Sequence, residues 1–138
     1  MNNVEAWKVK TPIIKGKSYK VVNKVARRIF HEIERRTKRK PYIRSEYFEK
    51  QKIFLTFFWD HLSSKTNQDR LRRLKFFECG LELIQKTQYK PTVKLNPNNP
   101  KETFYRFLGV TNGNLFFDVQ LKRDKDGNLE LISIFPVK

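Results

Sequence analysis

Between Ser18 and Lys40 the apolar residues fall at helical spacing: Val22, Val25, Ile29 and Ile33, with Ala26 and Phe30 widening the stripe. Ser18 offers an N-cap oxygen and Pro41 stops the run. The pattern predicts a helix that buries one side and presents Lys20, Lys24, Arg27, Arg28, His31 and Arg35 on the rest. From Ser45, the segment EYFEKQKIFLTFFWDHLSS becomes apolar around nearly its whole circumference between Ile53 and Leu62, which predicts a second helix in the middle of the domain. Asn67 opens a third, QDRLRRLKFFECGLELIQKT, with Asp69 in the first turn, where a negative charge suits the helix dipole. Leu71, Leu74, Leu81 and Ile84 face inward there, while Arg70 and Arg73 share one side and Arg72 and Lys75 flank another.

After Lys90 the helical period gives way to strands and turns: PTVKL, the Pro/Asn-rich connector NPNNPKE, then TFYRFLGVT, NGN, LFFDVQLKR, DKDGN and LELISIFPV. Asn112-Gly113 is the strongest hairpin signal in the chain, because both residues accept positive φ at low cost. Asp126-Gly127 marks a second turn in a longer loop. The predicted class is α+β: about three N-terminal helices packed on a C-terminal antiparallel meander of three to four strands. Residues 1–16 read as an N-terminal arm and residues 17–138 as one domain, divided into a basic helix (17–43), a helical hairpin (44–89) and an antiparallel sheet (90–138).

Charge changes the picture. Thirty Lys and Arg against 14 Asp and Glu give a formal net charge of +16 and a pI near 10.1 on 138 residues. A small domain so charged is expected to meet a polyanion, nucleic acid first among them. The bias is local, since 14 of the basic residues but only 3 of the acidic ones lie in residues 1–45. The bases Lys24, Arg27, Arg28, Arg35, Arg36, Lys38, Arg39 and Lys40, with Arg70, Arg72, Arg73 and Lys75, have few acids among them and are expected to contact phosphates, which position a nucleic acid without reading its sequence. A single cysteine, Cys79, excludes an internal disulfide, and no CxxC or Cys/His cluster suggests a zinc site; Cys79 itself reads as an inert core thiol. No N-terminal apolar h-region and no run near the eighteen or so residues needed to span a bilayer are present, so a cytoplasmic protein without a membrane partner is expected. His31 and His61 read as ordinary surface or half-buried histidines; His61 and its neighbour Asp60 do not face each other on a helix.

The candidate chemistry lies on the polar face of the sheet. A four-residue loop at Asp124–Gly127 would pair Val119 with Ile132, Phe117 with Ile134 and Asp118 with Ser133, with Gln120 and Lys122 on the open face. A two-residue turn at Asn112-Gly113 places Tyr105 opposite Gln120, whereas a three-residue turn using Asn114 places Arg106 there. Either set suits metal-free cleavage of RNA by the 2′-hydroxyl, which needs a proton acceptor, a cation for the phosphorane and a proton donor. Arg106 and Lys122 are the cations, and Tyr105 or Lys122 the proton-transfer groups.

YRFLG (Tyr105–Gly109), FFDVQLK (Phe116–Lys122) and the closing ISIFP (Ile132–Pro136), after helices, resemble the barnase/EndoU/colicin/RelE superfamily of small ribonucleases. From Ser45 to Val137 the chain also resembles a group of short, uncharacterised bacterial proteins. The resemblance implies a metal-independent endoribonuclease of toxin or defence type, with no cofactor, and Tyr105, Arg106, Lys122 and Ser133 as the active-site set beside Gln120. It implies RNA as substrate and an acidic antitoxin as a protein partner. This sheet sequence departs from the family in lacking a histidine. A non-catalytic accessory subunit of a ribonucleoprotein or mobile-element complex is the competing expectation.

Overall fold

In the computed structural model, which describes residues 5–137, a mixed sheet of seven strands curls around helix α4. The elements in chain order are β1 (Trp7–Lys8), α1 (Tyr19–Arg36), β2 (Tyr42–Ser45), β3 (Gln51–Phe54), α2 (Thr56–Ser63), α3 (Asn67–Leu74), α4 (Phe77–Lys86), β4 (Thr92–Asn96), β5 (Asn99–Val110), β6 (Phe116–Arg123) and β7 (Leu129–Pro136). The strands run in the order β1-β5-β6-β7-β3-β2, with β4 also paired to β5. β1 lies parallel to β5, and β3 parallel to β7; the other pairs are antiparallel.

The expectation of three N-terminal helices on a C-terminal meander is therefore overturned. Strands from both ends of the chain build the sheet, and there are four helices among the described residues. The predicted helix over residues 45–64 is instead a β-hairpin followed by a short helix. Ser45 does cap, its Oγ accepting from the Phe48 amide at 3.3 Å, but it caps a turn in which Glu49 (φ 54°) and Lys50 (φ 67°) are left-handed. No helix continues through two such residues. β2 and β3 then pair residue for residue from Tyr42↔Phe54 to Ser45↔Gln51. The predicted third helix breaks at Lys75-Phe76 into α3 and α4, and Thr66 rather than Asn67 caps α3 by accepting from the Asp69 amide.

Helix α1 begins after Ser18, whose side chain accepts from the Val21 amide, and buries Val22, Ala26, Phe30 and Ile33, with Val25 and Ile29 half-buried beside them. It packs on α3 and α4 as an outer layer. α4 is buried along most of its length and covers the apolar side of the sheet, where Ile53, Phe107, Phe117, Val119, Leu121, Leu129, Leu131 and Ile134 are buried. The helix approaches closely because Gly80 has no side chain: a Cβ there would lie 2.6 Å from Ile134 Cδ1.

The arm is tied down between Trp7 and Thr11. Trp7 and Lys8 pair with Gly109 and Val110, and the buried Glu82 carboxylate accepts from the Lys10 and Thr11 amides and from the Thr11 hydroxyl at 2.5 Å. Burial alone would raise the Glu82 pKa; the Thr11 hydroxyl, the two amides and Lys86 outweigh it and hold the carboxyl below its usual range. Residues 1–4 of the predicted arm lie outside the described residues.

Candidate nucleic-acid cleft on the open face of the sheet

The register of the β5–β6 hairpin decides which side chains meet. Thr111 and Leu115 close a three-residue turn, Asn112–Asn114, with Asn114 left-handed at φ 63°. Arg106 is therefore opposite Gln120, and Tyr105 is opposite Leu121 on the other face. Tyr105 packs edge-on to Phe48 at 5.0 Å between centroids, and its hydroxyl accepts from Arg123 Nε at 3.3 Å. It does not reach the open face, which removes it from the proton-transfer role. The second hairpin also differs from expectation. Its loop, Asp124–Asn128, is one residue longer than predicted, and a bulge puts Ile132 between the pairs Leu121↔Leu131 and Gln120↔Ser133. Val119 consequently pairs with Ile134, Phe117 with Pro136, and Asp118 with Phe135.

The open face is thus a grid. Thr92, Arg106, Gln120 and Ser133 form one row across β4, β5, β6 and β7; Lys94, Phe104, Lys122 and Glu130 form the next. Arg106 Nη2 donates to Gln120 Oε1 at 3.1 Å. Lys122 Nζ stands 3.6 Å from Glu102 and 3.5 Å from Glu130, and 5.1 Å from the Phe57 ring. Asp118, in the row beyond, is pushed up by burial, partly opposed by Arg106.

Two helices build a wall over β7. From α3, Arg73 Nη1 donates to Ser133 Oγ at 2.7 Å while its Nε faces Asp69 at 3.3 Å, so the guanidinium is pinned at both ends. Arg73 and Arg106 both lie against Phe135, 5.5 and 5.3 Å from its ring centre. From α2, Phe57 and His61 stand one turn apart with near-parallel rings. Burial first, then Lys65 and Arg73, lower the His61 pKa below 6.5 and keep its imidazole neutral at pH 7. Phe57, His61, Arg73 and Phe135 border an open cleft of about 490 Å³ with Gln120, Lys122, Ile132, Ser133, Asn96, Glu102 and Phe104, while Arg106 borders the neighbouring hollow.

Of the residues expected on this face, Arg106, Gln120, Lys122 and Ser133 come together and Tyr105 does not. Arg73, expected as a phosphate contact, joins them. His61 and Glu102 were missed. For His61 the available signal was its i, i+4 spacing from Phe57 on a helix whose other side is apolar; Glu102 lies in a stretch read as connector that is the start of β5.

The remaining bases separate. Lys24, Arg27, Arg28 and Arg35, with Lys20, Asn23 and His31, border a shallow trough of about 580 Å³ on α1, and Arg27 stacks on the Trp59 ring at 3.9 Å. Arg36 turns to the Glu32 carbonyl on the far side of that helix, and Lys38, Arg39 and Lys40 are exposed after its end. On α3, Arg70 and Arg73 do not share a phosphate face: Arg70 donates to the Leu62 and Ser63 carbonyls and to Asn67, capping the end of α2. Arg72 pairs with Asp69 at 2.8 Å, and Lys75 is half-buried at the end of the helix. Cys79 is buried, its thiol pushed up to about 12 by burial and by Glu78 and Glu82. Among the described residues no group of three or more His, Cys, Asp and Glu could hold a metal ion, and no helix is long and apolar enough to cross a membrane.

No family model, curated protein or solved structure matches the chain.

Proposed function

We propose that the cleft binds single-stranded RNA and cleaves it without a metal ion. The observation that carries this reading is the meeting, between aromatic walls, of a neutral imidazole (His61), a pinned guanidinium (Arg73) and an ammonium (Lys122). These are the three groups that transfer of a phosphodiester to its own 2′-hydroxyl requires. His61 takes the 2′-hydroxyl proton as that oxygen forms its bond to phosphorus. Arg73, fixed by Ser133 and Asp69, stabilises the charge of the phosphorane. The bond from phosphorus to the 5′-oxygen then breaks, and Lys122 gives that oxygen a proton. The products are a 2′,3′-cyclic phosphate and a free 5′-hydroxyl, and His61 and Lys122 regain their starting states by exchange with water.

The resemblance of YRFLG, FFDVQLK and ISIFP to small ribonucleases supports the same reading, and a toxin or defence role with an acidic antitoxin follows from it. The basic face of α1 supplies phosphate contacts that hold the RNA on the protein. A second reading has one observation in its favour: Lys122 is already balanced by Glu102 and Glu130, which suits a non-catalytic accessory subunit that binds nucleic acid.

The experiment is incubation of end-labelled single-stranded RNA with purified protein in EDTA. Fragments ending in 2′,3′-cyclic phosphate are expected, and Arg73→Ala should lower the rate on the order of 10²–10³-fold. RNA that is retarded but intact would sink the cleavage reading and leave the binding one.

A further inference from the structure

Beyond the cleft the open face continues into a second hollow of about 340 Å³, bordered by Thr92, Lys94, Pro97, Phe104, Arg106 and Gln120. Phe104 and Gln120 border both, so the two hollows are contiguous across β5 and β6. We infer that the second hollow is a nucleobase subsite for the nucleotide adjoining the one held against Arg73, and that it takes a base whose O6/N7 or O4 edge presents a carbonyl in place of an amino group, guanine or uracil. The inference rests on the proposed reading of this face as an RNA groove.

Its first support is the surface on offer. Phe104 is a half-buried aromatic ring in a row otherwise made of Lys94, Lys122 and Glu130, so a flat apolar surface is set between two ammonium groups. That arrangement is what a base with flanking phosphates uses: stacking on the ring and charge for the backbone. Pro97, in the β4–β5 turn, closes part of the rim.

Its second support is hydrogen-bonding character. Glutamine reads adenine with its carbonyl and amide together, one accepting and one donating. Gln120 is poorly set for that, because Arg106 Nη2 already occupies one of the two lone pairs of its Oε1. What remains is mostly N–H donors, those of the Arg106 guanidinium and the Gln120 amide, against one lone pair of Oε1 and the Thr92 hydroxyl. A donor-rich edge suits the O6 and N7 acceptors of guanine or the O4 of uracil better than the N6 amino group of adenine or the N4 amino group of cytosine.

The test uses short 2′-O-methyl oligonucleotides, which cannot be cleaved, so that binding is read apart from cleavage. Fluorescence anisotropy would measure Kd for labelled heptamers whose central position is guanine, uracil, cytosine, adenine or an abasic spacer in one fixed sequence. Guanine and uracil should bind tightest. Phe104→Ala should weaken those two on the order of tenfold and the abasic oligomer hardly at all, while Phe104→Trp keeps wild-type affinity. Equal Kd values for adenine and guanine, or an equal loss for Phe104→Ala on the abasic oligomer, would overturn the subsite, as would failure of the wild type to bind any of them. If the predicted binding pattern appears while RNA stays uncut, the subsite stands and the cleavage reading falls.

Discussion

Lys20, Lys24 and Arg28 on α1 are exposed and, among the described residues, have no ion-pair partner, whereas every cation of the sheet cleft is held by named neighbours. Arg73 is tied to Ser133 and Asp69, Arg106 to Gln120, and Lys122 stands between two carboxylates. The helix leaves its charges mobile on flexible stems; the sheet fixes them. Mobile charges attract a polyanion through counterion release and tolerate many geometries. Fixed charges serve a particular atom in a particular place, and they act at full strength only because the surrounding groups have already removed their freedom. On this account α1 gathers RNA and the cleft acts on it.

The largest effect expected from breaking that division is at His61. His61→Gln should lower the cleavage rate on the order of 10²–10⁴-fold with little change in RNA affinity, measured by single-turnover kinetics beside anisotropy. Because burial holds the imidazole pKa below 6.5 and the neutral form is the active one, the wild-type rate should rise with pH through a value below 6.5 and level off above it. The same shift carries a stability sign. The unfolded chain binds the proton more readily than the folded one between those two values, so the His61 contribution to stability falls as pH drops through that window.

The converse variant sharpens the contrast from the other side. Lys24→Ala with Arg28→Ala should reduce the slope of log affinity against log salt by about one per residue removed, and leave the cleavage rate at saturating RNA unchanged. A loss of rate there would mean that α1 belongs to the reacting site.

The smallest effect separates two neighbours on α3. Arg70→Ala should lower stability by about 1–3 kcal/mol in chemical denaturation, through the bonds it gives the end of α2, and leave the salt slope as it was. Arg70 and Arg73 are one turn apart, equally charged and unlike in what they do.

That pair shows how far the sequence can be read. The α1 stripe, its Ser18 cap and the presence of a turn after Thr111 were legible because each depends on local periodicity or local backbone preference, although the positive φ expected of Asn112 and Gly113 falls on Asn114 instead. The sequence leaves the choice between Tyr105 and Arg106 open, and it turns on Asn114, which takes the left-handed conformation in this turn where Asn112 and Gly113 do not. The segment from Ser45 to Leu62 misled because its aromatic and β-branched residues are apolar on all sides whether they form a strand or a helix. Nothing in a hydropathy pattern marks Glu49 and Lys50 as left-handed. Recognising a strand at Tyr42–Ser45 would have needed the partner β3, and β3 in turn pairs with β7, more than half the chain away. The cleft was legible by halves for the same reason. Arg106, Gln120, Lys122 and Ser133 share two adjoining hairpins, whereas His61 and Arg73 reach them only through packing of α2 and α3 against β7.

The measurement that bears most directly on the central claim is single-turnover cleavage of a labelled single-stranded RNA in EDTA between pH 5 and 8, by the wild type and by His61→Gln. The account predicts cyclic-phosphate products from the wild type, a rate that climbs with its midpoint below pH 6.5 and then flattens, and a His61→Gln rate that is both far lower and without that rise. Cleavage by His61→Gln at the wild-type rate and with the same pH profile, or no cleavage by either protein, would contradict it.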